Sequence, residues 1–164
     1  MRPTLFTIDF PGPGRLSTMA RPRCNDWLED EMTALKNCGV DILVCALTGP
    51  ELDELGLADE PRAAAAAGLQ FVAIPIPDLT VPDLTTILPT LHRLAKQLHE
   101  GAHVVTHCRA GIGRSSLLAS ALLILNGVDP ETSWHQIERA RGLAVPDTAE
   151  QREWTMKLPK WARY

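Results

Sequence analysis

Residues 103–125 read His-Val-Val-Thr-His-Cys-Arg-Ala-Gly-Ile-Gly-Arg-Ser-Ser-Leu-Leu-Ala-Ser-Ala-Leu-Leu-Ile-Leu. The first five residues, His103–His107, are rich in β-branched side chains and suit a buried strand. From Ser115 to Asn126 the chain is apolar nearly all round, which predicts a central buried helix. Two glycines lie in the turn between them, and five residues separate Cys108 from Arg114. A chain that turns sharply from strand to helix aims successive backbone N–H groups at one point. The helix N-terminus adds partial positive charge there, so the turn is a candidate anion cradle with a cysteine on its rim.

Outward from this turn, strand and helix patterns alternate. Thr4–Ile8 and Arg15–Met19 are short strand candidates, separated by the turn Pro11-Gly-Pro-Gly14. Asn25 or Asp26 is placed to cap a helix from Trp27 to Cys38 that Gly39 ends. Asp41–Ala46 and Leu69–Ile74 read as buried strands, and Ala63–Ala67 as a helix with Pro61 in its first turn. Asp83 precedes a helix to His99 with Gly101 as its stop, and Pro89 inside it predicts a kink or a split. Asp129 caps Pro130–Arg141, and Asp147 is expected to cap Thr148–Leu158. The pattern predicts one α/β domain over 1–164, with a mostly parallel central sheet of four to five strands flanked by helices.

The chain has 164 residues, 45% hydrophobic and 22% charged, with a formal net charge of −4. That balance argues against nucleic-acid partners and a polybasic membrane surface, while leaving room for a small basic pocket. The N-terminus lacks an apolar signal segment, and no run is long enough to span a bilayer, so a cytoplasmic location is expected. Cys24, Cys38 and Cys45 are irregularly spaced and read as reduced, mostly buried thiols.

Phosphoryl transfer to a thiol makes four demands, and this sequence has a candidate for each. A thiolate at Cys108 would be stabilised by the helix N-terminus, Arg114 and the Ser115 hydroxyl, with His107 fixing the loop through ring hydrogen bonds. The backbone of Arg109, Ala110, Gly111, Ile112 and Gly113 would cradle the equatorial phosphate oxygens, and the Arg114 fork would hold two of them. The apolar strand and helix supply a dry frame. A proton for the leaving oxygen requires an acid. Asp78 and Asp83 compete in Ile74-Pro-Ile-Pro-Asp78-Leu-Thr-Val-Pro-Asp83, where Asp83 suits an N-cap and Asp78, expected to be partly desolvated, suits the acid.

At these residues the chain resembles the cysteine-dependent protein tyrosine phosphatase superfamily, in particular the small atypical dual-specificity phosphatases and the cyclin-dependent-kinase-associated phosphatase group. The signature His-Cys-Arg-Ala-Gly-Ile-Gly-Arg-Ser and the upstream Ile-Pro-Asp segment carry the likeness, which extends over about residues 11–158. It implies a phosphatase-type fold, Cys108 as the nucleophile of a phosphocysteine intermediate and Arg114 as the phosphate ligand. Asp78 would be acid and then base, and Ser115 would assist release of the sulfur. No metal or other cofactor is implied. The expected substrate is a phosphorylated protein (phosphotyrosine, phosphoserine or phosphothreonine) or a small phosphoester, acted on by a monomer. Where larger tyrosine-specific members carry a water-positioning Gln-Thr-x-x-Gln, this chain has Asp147-Thr-Ala-Glu-Gln151.

Three other readings use the same loop. A rhodanese-like sulfurtransferase needs no acid at Asp78. An arsenate reductase needs resolving thiols near Cys108. A non-catalytic phosphate-binding module needs no intact nucleophile. His99, His103 and His107 are four apart but cross a helix end, Gly101 and a strand, so no metal site is expected from them. Trp27, Trp134, Trp154 and Trp161 are candidates for an exposed aromatic beside the site.

Overall fold

In the computed structural model, which describes residues 2–164, the strand that feeds the glycine-rich turn lies at the middle of the sheet. The strands are β1 (Phe6–Ile8), β2 (Arg15–Met19), β3 (Ile42–Cys45), β4 (Gln70–Ala73) and β5 (His103–His107). Their order is β1-β2-β5-β3-β4, with β1 antiparallel at one edge and every other pairing parallel. Among the described residues seven α-helices follow in chain order: α1 (Leu28–Asn37), α2 (Gly49–Glu54), α3 (Glu60–Ala66), α4 (Leu84–His99), α5 (Arg114–Leu125), α6 (Pro130–Arg141) and α7 (Ala149–Thr155).

Both faces of the sheet are covered, which is why the inner strands read as unbroken apolar runs. On β3, Ile42 and Val44 join the core under α4, α5 and α6, whereas Leu43 and Cys45 join the core under α1 and α3. This is the two-residue alternation of a strand, with water on neither side. All twelve residues of α5 are buried, as its sequence requires, and the Ser120 and Ser133 hydroxyls bond at 2.7 Å to satisfy each other.

Several helix boundaries differ from expectation. α1 is entered through a 3-10 turn, Asn25–Trp27, and neither Asn25 nor Asp26 caps it with a side chain. Helix α4 keeps Pro89 inside one continuous element and does not split. Asp147 does not cap α7. Thr148 accepts from the Gln151 amide, and Gln151 Oε1 accepts from the Thr148 amide in return. Helix α2 has no counterpart among the expected elements. Thr48 and Glu51 form the same reciprocal capping box, with Pro50 in the first turn. Of the three cysteines expected as mostly buried, Cys45 is buried, while Cys24 and Cys38 are half-buried.

Candidate active site

The turn after β5 closes tightly at two glycines, one that admits no side chain and one packed against a carboxylate. Gly111 has φ +73°, and a Cβ there would come within 2.9 Å of the Met19 carbonyl. Gly113 has ordinary backbone angles but lies against Asp147, whose carboxylate a Cβ would strike. Gly113 is also the N-cap of α5, so the free amides of the first helical turn open onto the loop.

Cys108 sits at this point, 3% exposed, with the Ser115 hydroxyl 3.3 Å from its sulfur. Burial pushes the thiol up. The Ser115 hydroxyl, the Ser115 and Gly111 amides and the Arg114 guanidinium outweigh it and leave Cys108 below the usual thiol value. Ser115 is itself fixed through its carbonyl, which accepts from Thr106 Oγ1 at 2.8 Å.

Arg114, the first residue of α5, is 1% exposed. Its fork is gripped by Glu51: Nη1 donates to Oε1 at 2.6 Å and Nη2 to Oε2 at 3.0 Å. Nη1 also donates to the Ile76 carbonyl at 2.8 Å, and Nη2 lies 3.3 Å from Asp78 Oδ1. The buried Nε has no partner among the described residues, which leaves one oriented N–H for a ligand oxygen. Burial disfavours the cation, yet Glu51 above all, with Cys108 and Asp78, raises Arg114 above its ordinary value. In return the Arg114 fork, followed by the Thr48 amide and against the effect of burial, lowers Glu51 to about 2.

Glu51, which grips Arg114, is a candidate-site residue that the sequence reading missed. Its signal is present as Thr48-Gly-Pro-Glu51, a capping box. Glu60 is the second omission. His107 and Glu60 are both fully buried, and His107 Nε2 meets Glu60 Oε2 at 2.6 Å while Nδ1 stands 3.2 Å from the Cys108 carbonyl. The expected loop-fixing role of His107 therefore has a partner, supplied by the start of α3. Burial opposes protonation of His107, but the Glu60 carboxylate, with Cys45, raises it well above its usual value.

Cys45, Glu60 and His107 form a cluster of potential metal ligands, with donor atoms within 4.8 Å of one another. Donor atoms of a tetrahedral zinc stand about 3.3–3.8 Å apart, given bonds of about 2.0–2.3 Å. The 2.6 Å His107–Glu60 contact is shorter than that and has the geometry of a charge-assisted hydrogen bond. The other histidines do not converge on it: His103 Nε2 bonds Ser17 Oγ at 2.8 Å, and His99 stacks on Tyr164.

The two candidate acids separate. Asp83 caps α4, accepting from the Thr86 amide at 3.1 Å. Asp78 reaches the loop at Arg114, and its Oδ1 accepts from the Leu79 amide at 3.0 Å. The desolvation expected at Asp78 is not found, since its side chain is 51% exposed. Asp147, expected to be occupied with a cap, instead brings a second carboxylate to Gly113. Burial, then Asp78, raise its pKa, while Arg114 works the other way. Gln151 is buried beside it and donates to the Thr80 carbonyl at 3.4 Å, tying α7 to the segment that carries Asp78. Of the tryptophans, Trp134 and Trp154 are buried, and Trp27 stands 52% exposed.

Comparison with known proteins places this geometry. Residues 17–128 match the family model described as polymorphic toxin system, DSP-PTPase phosphatase. Cyclin-dependent kinase inhibitor 3 of Sus scrofa is 25% identical over 126 residues, which cover 76% of this chain. The matched region spans 59% of that relative's length. The crystal structure of kinase associated phosphatase (KAP) superposes with a TM-score of 0.84 at 20% identity, covering 100% of this chain and 98% of the other. Tk-PTP in its active form gives 0.77 at 27% identity, covering 98% and 99%.

Proposed function

Since the chain belongs to the DSP-PTPase phosphatase family whose model spans residues 17–128, we propose that it hydrolyses phosphomonoesters through a phosphocysteine at Cys108. The observation that carries this reading is the buried, low-pKa Cys108 beside Ser115 at the mouth of α5, with Arg114 clamped alongside. Substrate phosphate would bind with its oxygens on the amides of residues 109–113 and on Arg114 Nε and Nη2. The Cys108 sulfur attacks phosphorus in line with the ester oxygen. The S–P bond forms, the P–O bond breaks, and Asp78 gives its proton to the departing oxygen. Asp78, now ionised, then takes a proton from a water that attacks the phosphocysteine. The S–P bond breaks, and the Ser115 hydroxyl donates to the leaving thiolate. Asp147 and Gln151 border the same space and would help place that water. None of these steps needs a metal.

The likeness to kinase associated phosphatase and to cyclin-dependent kinase inhibitor 3 supports a phosphorylated protein as the substrate, with a small phosphoester as the alternative. Among the described residues no helix is long and apolar enough to cross a membrane. A thiolate nucleophile works only while reduced, which suits a reducing compartment such as the cytoplasm.

The test is turnover of an aryl phosphate between about pH 5 and 7 under reducing conditions, with acid quenching of a radiolabelled reaction to trap phosphocysteine. Label on wild-type protein and none on Cys108→Ser supports the reading. Phosphate binding without turnover of any phosphomonoester would replace it with a non-catalytic phosphate-binding module.

A further inference from the structure

A groove of about 450 Å³ opens beside the cradle, lined by Arg21, Arg23, Trp27, Leu55 and Arg109 among others, and no carboxylate lines it. Arg109 follows Cys108 directly, so one end of the groove lies a single residue from the nucleophile. The segment before α1 runs along the loop: the Arg21 amide donates to the Arg109 carbonyl at 3.3 Å, and Arg21 Nη1 reaches the same oxygen at 3.4 Å.

The cations are held in place. Arg23 stacks over the Trp27 ring at 4.1 Å and pairs with Glu31 at 3.2 Å. Arg109 lies 3.7 Å from both Glu51 and Glu54. Among the described residues Arg21 is exposed and pairs with no carboxylate. Trp27 exposes half its surface, with an arginine across one face and no core to fill. Three guanidiniums, two of them braced by carboxylates outside the groove, and a half-exposed indole therefore line one groove beside the phosphate cradle of a protein whose formal net charge is −4.

We infer that this groove is a specificity subsite for acidic residues flanking the phosphorylated residue of a protein substrate. The inference rests on the phosphatase reading and adds the substrate class. An extended peptide advances about 3.3 Å per residue, so positions one to three from the phosphoresidue reach the groove. Guanidinium forks pair with Asp and Glu carboxylates, and Trp27 offers a flat face for an apolar or planar neighbour. Electrostatic preference of this kind acts on encounter and binding, so it appears in kcat/KM and weakens with salt.

The experiment compares three phosphopeptides of equal length, identical except for acidic, glutamine or lysine flanks. An aryl phosphate and an inositol bisphosphate are run in parallel. The acidic peptide is expected to exceed the lysine peptide in kcat/KM by roughly 10-fold at about 50 mM salt, falling to about 2-fold at about 500 mM. Arg21→Gln and Arg23→Gln should each shrink the acidic-to-lysine ratio by about 2- to 4-fold, and Trp27→Ala should raise KM for all three peptides more than it lowers kcat. Each variant's aryl phosphate turnover reports whether it has folded. Equal kcat/KM for the three peptides, with the aryl phosphate hydrolysed, overturns the subsite and leaves the phosphatase reading standing. A bisphosphate turned over faster than every peptide overturns it in favour of a small polyanionic substrate. No turnover of any ester removes both.

Discussion

Glu51→Gln tests whether Arg114 is held from outside its own loop. In the fold Glu51 is 13% exposed and its pKa lies at about 2 rather than 4.5, chiefly because Arg114 donates to both of its oxygens. That fall corresponds to about 3 kcal/mol favouring the ionised carboxylate in the native state. The folded value is depressed, so this stabilisation is present in full above about pH 4.5 and is lost as pH falls toward 2. The substituted amide would keep one hydrogen bond and lose the charge. Urea unfolding at pH 7 should therefore show a loss of about 2–3 kcal/mol, with a shallower decline between about pH 5 and 3 than wild type shows. Arg114 would keep one bond to the amide oxygen, the Ile76 carbonyl and Asp78, and would lose the two-pronged ionic grip that fixes its plane. Turnover of an aryl phosphate should fall about 10- to 100-fold in kcat/KM. Alkylation of Cys108 by iodoacetamide should change far less, because Ser115 and the loop amides still face the sulfur. Wild-type stability with a wild-type acid limb would refute the energetic argument, and wild-type kcat/KM would refute the positioning one.

Cys108→Ser should abolish turnover while phosphate still raises the melting temperature, since Arg114 and the loop amides remain; loss of both would assign Cys108 to structure. Asp78→Asn should slow an alkyl phosphate or phosphotyrosine at least about 10-fold more than p-nitrophenyl phosphate, whose leaving group needs little protonation; equal slowing would remove Asp78 from the acid role. Glu60→Gln should cost about 1–3 kcal/mol near pH 6 by urea unfolding. The folded pKa of His107 is raised, so its stabilisation is complete below about 6.5 and lost as pH rises through the folded value. Wild type should therefore weaken above neutrality while the variant stays level, and identical pH profiles would refute the charged pair.

The fold was legible where local chemistry decides it. His103–His107 and the apolar run after Arg114 define the strand–turn–helix, and the stops at Gly39, Gly68 and Gly142 all fall at positive φ beyond their helices. What local reading could not supply were partners far along the chain. Glu51 meets Arg114 across 63 residues, and Glu60 meets His107 across 47. As single residues, one is a helix cap and the other an exposed-looking acid beside Pro61. Only the parallel pairing of β3 with β5 brings the segments after Cys45 alongside those after His107. The same reason explains the error at Asp147: Thr148 is an equally good cap, and nothing local says that the aspartate faces Gly113.

These long-range contacts explain how so short a loop holds its shape. Cys108 and Arg114 belong to one turn, but what braces that turn comes from elsewhere: Glu51 on α2 and Asp78 after β4 at Arg114, Glu60 on α3 at His107, and Asp147 and Gln151 beside Gly113. Two of these contacts, Arg114–Glu51 and His107–Glu60, join opposite charges that are both largely buried, where replacing either side leaves an uncompensated charge and costs more than an exposed pair would. Fixed donors aimed at developing charge lower a barrier because they need no reorganisation during the reaction. An arginine free to move would bind phosphate as a surface cation does. Gripped by Glu51, it is held in one orientation with its Nε N–H unpaired, and Nε is one of the two groups proposed to meet the phosphoryl oxygens.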